Sequence, residues 1–287
     1  MAPRISVVIN TLNEEKNLPF ALRSVQSWVD EIVVVDMYST DRTVEIARQF
    51  GAQVHLHKGP GFNFPPRAFA VTLGSSEWIL MLDADELIPV ALSRDLRRIA
   101  DSGEVDVVLL PRTNYLLGAV VRNTGWGATQ DHQMRFFRKG FIVGASLAHQ
   151  DFKPVDEARI KVLPYRGDNA IVHFNYLDTE QFIEKLNRYT SIEAKQAFEG
   201  GFRTKPVRAL LRGIMEFRDR YITARGFRDG WRGFYLSLFM CFYRIVMRAK
   251  LYELTVLGPR EMIESHYRQE AEEILKAYGE TRSSAAS

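Results

Sequence analysis

The chain is nearly devoid of cysteine. Cys241 stands alone among 287 residues, so no internal disulfide can form and folding requires no oxidising compartment. Long apolar runs are missing too: no uninterrupted segment approaches the roughly 18 residues a membrane span needs. A basic, apolar leader with a small-residue cleavage site is absent, so neither membrane spanning nor secretion is expected and a cytoplasmic location is. Two glycine motifs are also missing. No G-x-G-x-x-G follows the first apolar strand and no G-x-x-x-x-G-K-[ST] occurs anywhere, which leaves nicotinamide binding and P-loop phosphate binding without support. There is no internal repeat, and the composition is not that of a disordered chain.

Against these absences stands one organising stretch, Ser76 to Glu86. The apolar run Trp78 to Leu82 has the length of a buried parallel strand and ends in Asp83, Asp85 and Glu86. Alternation along an extended segment predicts that Asp83 and Asp85 leave on the same side, with Ala84 too small to obstruct what they hold. Two hard oxygen donors on one face suit Mg²⁺ or Mn²⁺, which share their coordination with a substrate's phosphates. The plainer alternative is that these acids cap the following turn or helix.

The flanking pattern is β-α-β-α. Strands are expected at Ile5 to Asn10, Glu31 to Val35 and Val54 to His57, and helices at Leu18 to Trp28, Thr43 to Gly51 and Phe64 to Leu73. This alternation predicts a parallel sheet covered by helices, with ligands at the carboxyl ends of its strands, where Asn13, Asp36 and Asp83 fall. For Asp36 two readings stand side by side: an Asp that organises the turn after its strand, or an acceptor for a base or ribose. Arg67, after a Gly-Pro-rich loop, is either a solvated surface residue or a contact to phosphate oxygens. Further on come a helix ending at Ala100, a strand Val105 to Leu110, an irregular aromatic and glycine-rich passage Asn114 to Gly127, and a short strand Gln133 to Phe137 preceded by Asp131. Asp131 faces the acidic stretch across a cleft in one reading and solvent in the other. His149 and His173 lie in apolar surroundings, each a hydrogen-bonded core residue or a nitrogen ligand to the cation.

After the helix Thr179 to Phe198 the chain turns basic. From Arg203 to Lys250 there are twelve Lys or Arg against Glu216, Asp219 and Asp229, a balance that attracts phosphate groups. The uncharged run Gly233 to Tyr243 between Arg232 and Arg244 suggests a helix lying on a membrane surface, or equally a core or dimer contact. The division expected is 1–200 for an α/β domain and 201–287 for a helical, arginine-rich extension.

Three segments taken together, Ile5-Ser6-Val7-Val8-Ile9-Asn10-Thr11-Leu12-Asn13-Glu14-Glu15, Glu31 to Asp36 with Ser39-Thr40-Asp41, and Leu82-Asp83-Ala84-Asp85, resemble the family 2 glycosyltransferases. Gln133 to Gly140 and Lys185 to Thr190 resemble the WaaE-like branch that adds sugars to lipopolysaccharide core. The resemblance implies a GT-A fold, inversion at the anomeric carbon and a nucleotide-diphosphate donor, with UDP-hexose the expectation. It implies that Thr11, Asn13, Glu14 and Asp36 line the nucleoside pocket, that Arg67 approaches the diphosphate, and that Asp83 faces ribose and metal. It makes Asp85 and His149 ligands of Mn²⁺ or Mg²⁺, with His173 as a second histidine, and Asp131 the general base. Tyr38 stands where the family has Gly, Ala68 where it often has Asn, and Asp151 where it has Glu after the histidine.

The acceptor expected is a saccharide, of lipopolysaccharide core or otherwise lipid-linked, reached from the inner face of the cytoplasmic membrane through contact with anionic lipid. A homo-oligomer is compatible with this. The rival readings are a non-catalytic sugar-nucleotide or glycolipid binder on the same fold, and a nucleic-acid binder; the second is disfavoured because the aromatics cluster apolarly instead of interleaving with the basic residues.

Overall fold

A computed structural model describes residues 2–58, 66–143 and 152–284. Strand β1 (Ile5–Thr11) is buried at every position. Next come α1 (Leu18–Val25), β2 (Glu31–Asp36), α2 (Thr43–Gln49), β3 (Gln53–Leu56), α3 (Arg67–Leu73) and β4 (Trp78–Asp83). Helix α1 buries Leu18, Ala21, Leu22 and Val25, one face at helical spacing, with a proline in its first turn where no backbone donor is lost. Then follow β5 (Glu86–Leu87), α4 (Val90–Ser102), β6 (Val107–Leu116), β7 (Ala119–Val120), β8 (His132–Arg138), β9 (Ile142–Val143), β10 (Lys153–Pro154), β11 (Ile160–Val162) and β12 (Ile171–Tyr176). Four helices complete the chain: α5 (Thr179–Glu199), α6 (Pro206–Arg218), α7 (Gly230–Val256) and α8 (Arg260–Ser284).

The main sheet runs β3-β2-β1-β4-β8-β6-β12-β5. β3, β2, β1 and β4 are mutually parallel, as the alternation of strands and helices predicts, and β12 and β11 run parallel to β6. β8 is antiparallel to both neighbours. This reversal brings the start of β8, with Asp131 just before it, to the edge where β1, β2 and β4 end. Ile5, Val7, Ile9, Trp78, Leu80, Leu82 and Phe136 share one core with α1 and α4, and the Trp78 and Phe136 rings stack across β4 and β8 at 4.5 Å between centroids.

Boundaries depart from expectation where a polar residue continues a strand. β6 extends to Leu116 because Arg112 and Asn114 are held on one face by side-chain partners, so the irregular passage begins later than Asn114. α3 begins at Arg67; the expected start at Phe64 lies outside the described residues. The run Gly233 to Tyr243 lies within α7, and its Leu236 and Ser237 are fully buried, so this stretch is not an apolar face turned wholly outward.

The chain forms two compact units. One comprises residues 1–183 with 218–237, the other residues 184–217 with 238–287. The single cut expected near residue 200 is therefore replaced by an interleaved division. Asp229 shows why 218–237 belongs with the sheet: its carboxylate accepts hydrogen bonds from the Arg122 and Asn123 backbone N–H groups, the Asn123 amide and the Thr124 hydroxyl, at 2.8–3.1 Å. Arg220 adds a bond to the Thr124 carbonyl at 2.9 Å and sits over the Trp126 ring. Within the same loop Gly127 approaches the Arg122 carbonyl so closely that a Cβ would lie 1.9 Å from its oxygen. The Gly127 carbonyl in turn accepts the Asp131 N–H at 2.9 Å, so only a glycine there permits the turn that presents Asp131.

Candidate active site

The ends of β1 and β2 are laced together by side chains in the loops that follow them. Asp36 is fully buried and accepts the Ser39 N–H (2.8 Å), the Ser39 hydroxyl (2.5 Å) and the Thr11 hydroxyl (3.0 Å). Its carboxylate thus organises the turn, the first of its two readings. Asn13, at φ 56°, accepts the Thr40 N–H at 2.8 Å and donates its own N–H to Ser39, while the Glu14 N–H bonds the Thr43 hydroxyl. Asn tolerates this left-handed conformation, but a second residue of the rim does not. Tyr38 is held at φ 65°, a left-handed conformation that the Gly usual in this turn adopts freely, with its ring half exposed. Replacing Tyr38 by Gly is expected to stabilise the fold by about 1 kcal/mol, raising Tm by about 3 °C in a thermal melt. An unchanged or lower Tm would mean that contacts of the tyrosine ring compensate for its backbone.

At the end of β4 the expected alternation stops, because the chain turns at Ala84 and Asp85 and the Asp83 N–H donates to the Glu86 carboxylate at 3.0 Å. Asp83 and Asp85 consequently meet different partners. Asp83 receives Arg67 on both oxygens at 3.0 Å and Arg135 at 2.5 Å. Burial opposes its ionisation, but Arg135 and then Arg67 outweigh that and hold the carboxyl far below the usual carboxylate range. Arg135 is itself buried on β8, a position that disfavours its charge, yet Asp83 and Glu86 keep it firmly protonated. Beside these pairs, Arg67 Nε and Arg135 Nη1 are buried with no hydrogen-bond partner among the described residues.

The ion pairs continue inward. Glu86, wholly buried, lies 3.5 Å from Arg135 and 3.2 Å from Arg112. Arg112 Nε donates to Asp131 at 2.9 Å, and Asp131 also accepts from Asn114 (2.8 Å) and Gln133 (2.6 Å). Asn114 carries the chain onward. Its amide nitrogen faces two oxygens that can only accept, the Asp131 carboxylate and the Trp126 carbonyl, so its carbonyl oxygen is the atom 2.8 Å from His173 Nδ1. That nitrogen must bear a proton. The other ring nitrogen, Nε2, is the one directed at Asp85, whose Oδ2 is 3.5 Å away, and the Phe174 N–H fixes the Asp85 carbonyl at 3.0 Å.

The structure thus joins Arg67, Asp83, Asp85, Asp131 and His173 in one network, and brings Thr11, Asn13, Glu14 and Asp36 to the adjoining rim. His149 and Asp151 lie outside the described residues. Among the described residues no cluster of three or more metal-ligating side chains closes up. Asp85 Oδ2 and His173 Nε2 nevertheless bring one oxygen and one nitrogen donor together, with the ring held from behind by Asn114. Two protein donors suffice for a cation that completes its shell with water and phosphate oxygens.

The family model for Glycosyl transferase family 2 matches residues 6–149, which include Thr11, Asn13, Glu14, Asp36, Arg67, Asp83, Asp85 and Asp131 but not His173. The chain belongs to this glycosyltransferase family. Its mostly parallel sheet with covering helices and a helical carboxyl-terminal region is the GT-A arrangement expected of such a member, and the protein is a glycosyltransferase. An uncharacterized glycosyltransferase of Rickettsia bellii is 31% identical over 266 residues, covering 89% of this chain and 88% of that protein. The lipopolysaccharide core biosynthesis glycosyltransferase LpsC of Rhizobium meliloti is 26% identical over 92% of this chain and 98% of its own length. Among solved structures, S. aureus TarS aligns over 67% of this chain and 39% of that chain with 21% identity and a TM-score of 0.42.

Reading the sequence alone did not single out Glu86, Arg112, Asn114 or Arg135 as members of the glycosyltransferase's site. A signal existed for three of them. Arg112 and Asn114 are alternate residues of an otherwise apolar strand, the spacing at which polar side chains share one face. Arg135 likewise interrupts the apolar face of β8 among Met134, Phe136 and Phe137.

Proposed function

We propose that this glycosyltransferase transfers a hexosyl group, with inversion, from a UDP-sugar to a saccharide of lipopolysaccharide-core or other lipid-linked type. The observation that carries the reading is the approach of His173 Nε2 to Asp85 Oδ2 at 3.5 Å, set beside buried guanidinium N–H groups of Arg67 and Arg135 that have no partner among the described residues. Carboxylate and imidazole would hold Mn²⁺ or Mg²⁺, and the N–H groups of Arg67 and Arg135 left without partners would meet diphosphate oxygens. Thr11, Asn13, Glu14 and Asp36 would frame the nucleoside, Asp36 through the turn it organises. Asp83 keeps both arginines in place. The core-biosynthesis role of LpsC, similar along nearly its whole length, supports the class of acceptor.

In the transfer, an acceptor hydroxyl oxygen forms a bond to the anomeric carbon while that carbon's bond to the diphosphate oxygen breaks, and the nucleoside diphosphate leaves with the electron pair. Asp131 takes the hydroxyl proton. Among the described residues its Oδ1 accepts only from Gln133, which leaves a lone pair on that atom for the acceptor. Arg112 and Asn114 hold Oδ2 and fix the carboxylate's orientation. A divalent cation, when bound, supplies positive charge where the departing diphosphate gathers negative charge. Arg67 and Arg135 add to it from their preset positions.

A thermal-shift series with UDP, GDP, CDP and dTDP, each with and without Mn²⁺, tests the reading. UDP with Mn²⁺, at about a hundredfold excess over its Kd, is expected to add about 2.7 kcal/mol and to raise Tm by about 8 °C. Asp85→Asn and His173→Ala should each remove the part of the shift that needs the metal. Stabilisation by UDP that ignores Mn²⁺ would refute the cation site, and a larger shift with another nucleotide would refute the donor.

A further inference from the structure

Helix α6 carries an apolar stripe that the protein leaves uncovered. Val207, Leu210, Leu211, Ile214 and Met215 follow one another at intervals of three, one, three and one, a single helical face, and their exposures run from 40% to 69%. The opposite face carries the small residues Ala209 and Gly213 beside half-buried Glu216, which pairs with Arg244 of α7 at 2.9 Å. Ala209 and Gly213 are buried, and a Cβ on Gly213 would lie 2.6 Å from the Ile245 side chain and 3.0 Å from the Cys241 carbonyl oxygen, so α6 packs on α7 almost backbone to backbone. The larger apolar residues are therefore the outward ones, the reverse of an ordinary surface helix.

Next to the stripe, a groove of about 410 Å³ opens between α6 and α7, lined by Leu210, Ile245, Tyr252, Val256 and Leu257 together with two charged residues, Arg248 and Glu253. Arg248 Nη1 is buried there without a hydrogen-bond partner. Burial, then Arg244 and Arg212, push the Arg248 guanidinium below its ordinary pKa. Glu193 and Glu216 offset part of this, and the half-buried guanidinium keeps an unused N–H that can meet an anion. Arg208 and Arg212, both exposed, flank the stripe. Apolar surface and cationic rim together match an interfacial helix on an anionic lipid surface. Among the described residues no helix is long and apolar enough to cross a membrane, so the contact would be peripheral.

We propose that the outward face of α6 and the adjoining groove dock on an anionic phospholipid bilayer, with the stripe against acyl chains and Arg248 on a lipid phosphate. Charge argues against a second copy as the occupant. A two-fold contact through this face would set Arg208, Arg212 and Arg248 of one copy near the same residues of the other. The proposal does not depend on the assignment of donor or acceptor, since none of these residues belongs to the transfer site.

Co-sedimentation of the full chain with vesicles tests it. Binding to phosphatidylcholine vesicles carrying about 30 mol % phosphatidylglycerol should exceed binding to phosphatidylcholine alone by about tenfold, and should weaken several-fold as salt rises from about 0.1 M to about 0.5 M. The double variant Leu210→Asp/Leu211→Asp should lose at least about tenfold in partitioning with its melting curve preserved, because both residues are solvent-exposed in the fold. Arg248→Gln should lose about fivefold and show a shallower salt dependence. Two results would overturn the proposal: equal binding of the double variant and the parent, or no binding to the anionic vesicles. If sedimentation velocity without lipid shows a dimer that the double variant dissociates, while vesicles bind neither protein, the face belongs to a second copy.

Discussion

Asp131→Asn is expected to lower the rate of sugar transfer by about 10²- to 10⁴-fold while leaving the UDP-dependent thermal shift within about twofold of the parent. The substitution removes the acceptor of the hydroxyl proton. It does not touch the strand ends where the nucleotide would sit, because Asp131 lies across the network at the start of β8. The structure adds a cost that chemistry alone would miss. Asp131 is surrounded by donors from Arg112, Asn114 and Gln133, so an amide there turns one N–H group toward another and removes a charge that faced Arg112. A loss of about 2 kcal/mol follows, or about 6 °C in Tm. Rate and stability must therefore be measured on the same sample, below the variant's melting range. Near-parental transfer by a folded Asp131→Asn protein would remove the base assignment.

The second large effect is expected from Arg135→Met. Methionine fills much of the same space but leaves Asp83 and Glu86 without the cation they share, and breaking a buried pair on one side costs about 3–5 kcal/mol. The melting temperature should fall by about 10 °C, and UDP stabilisation should fall with it because Asp83 would hold Arg67 alone. The pH dependence gives the sign. Asp83 has its folded pKa depressed, so its ion pairs stabilise the protein above the unfolded value near about 3.9, and that contribution is lost only as pH falls through the much lower folded value. In the variant much of the depression is gone, and Asp83 takes up a proton at higher pH, relieving the unpaired charge. The Tm difference between parent and variant should accordingly narrow as pH is lowered from about 7 to about 4. A gap that stays constant would mean that lost packing, not the lost charge, causes the destabilisation.

Much of this site was legible from residues in order. The run from Trp78 to Leu82 announced a buried strand, its acids announced a charged sheet edge, and the β-α alternation located that edge beside Asn13 and Asp36. The arrangement of Asp83 and Asp85 was not legible, because alternation holds only while a strand continues, and nothing local reveals that Glu86 folds back onto the Asp83 N–H. Nor does sequence spacing show that Arg112, Asn114 and Asp131 meet, since their contact depends on β8 pairing antiparallel with β6. His173 looked like either a core residue or a ligand. Buried on one nitrogen by Asn114 and open on the other toward Asp85, it is a core residue on one side and has the form of a ligand on the other.

The interleaving of the two units has an evolutionary corollary. Residues 218–237 leave the sheet's partners in sequence and return to them in space, where Asp229 latches the loop that leads to Asp131. Replacing everything after residue 200 would replace Asp229 as well, so the hydrogen bonds that fix the loop before Asp131 would change together with the helices. Acceptor preference, if shaped by the loop before β8, would be inherited together with a stretch of chain almost a hundred residues downstream.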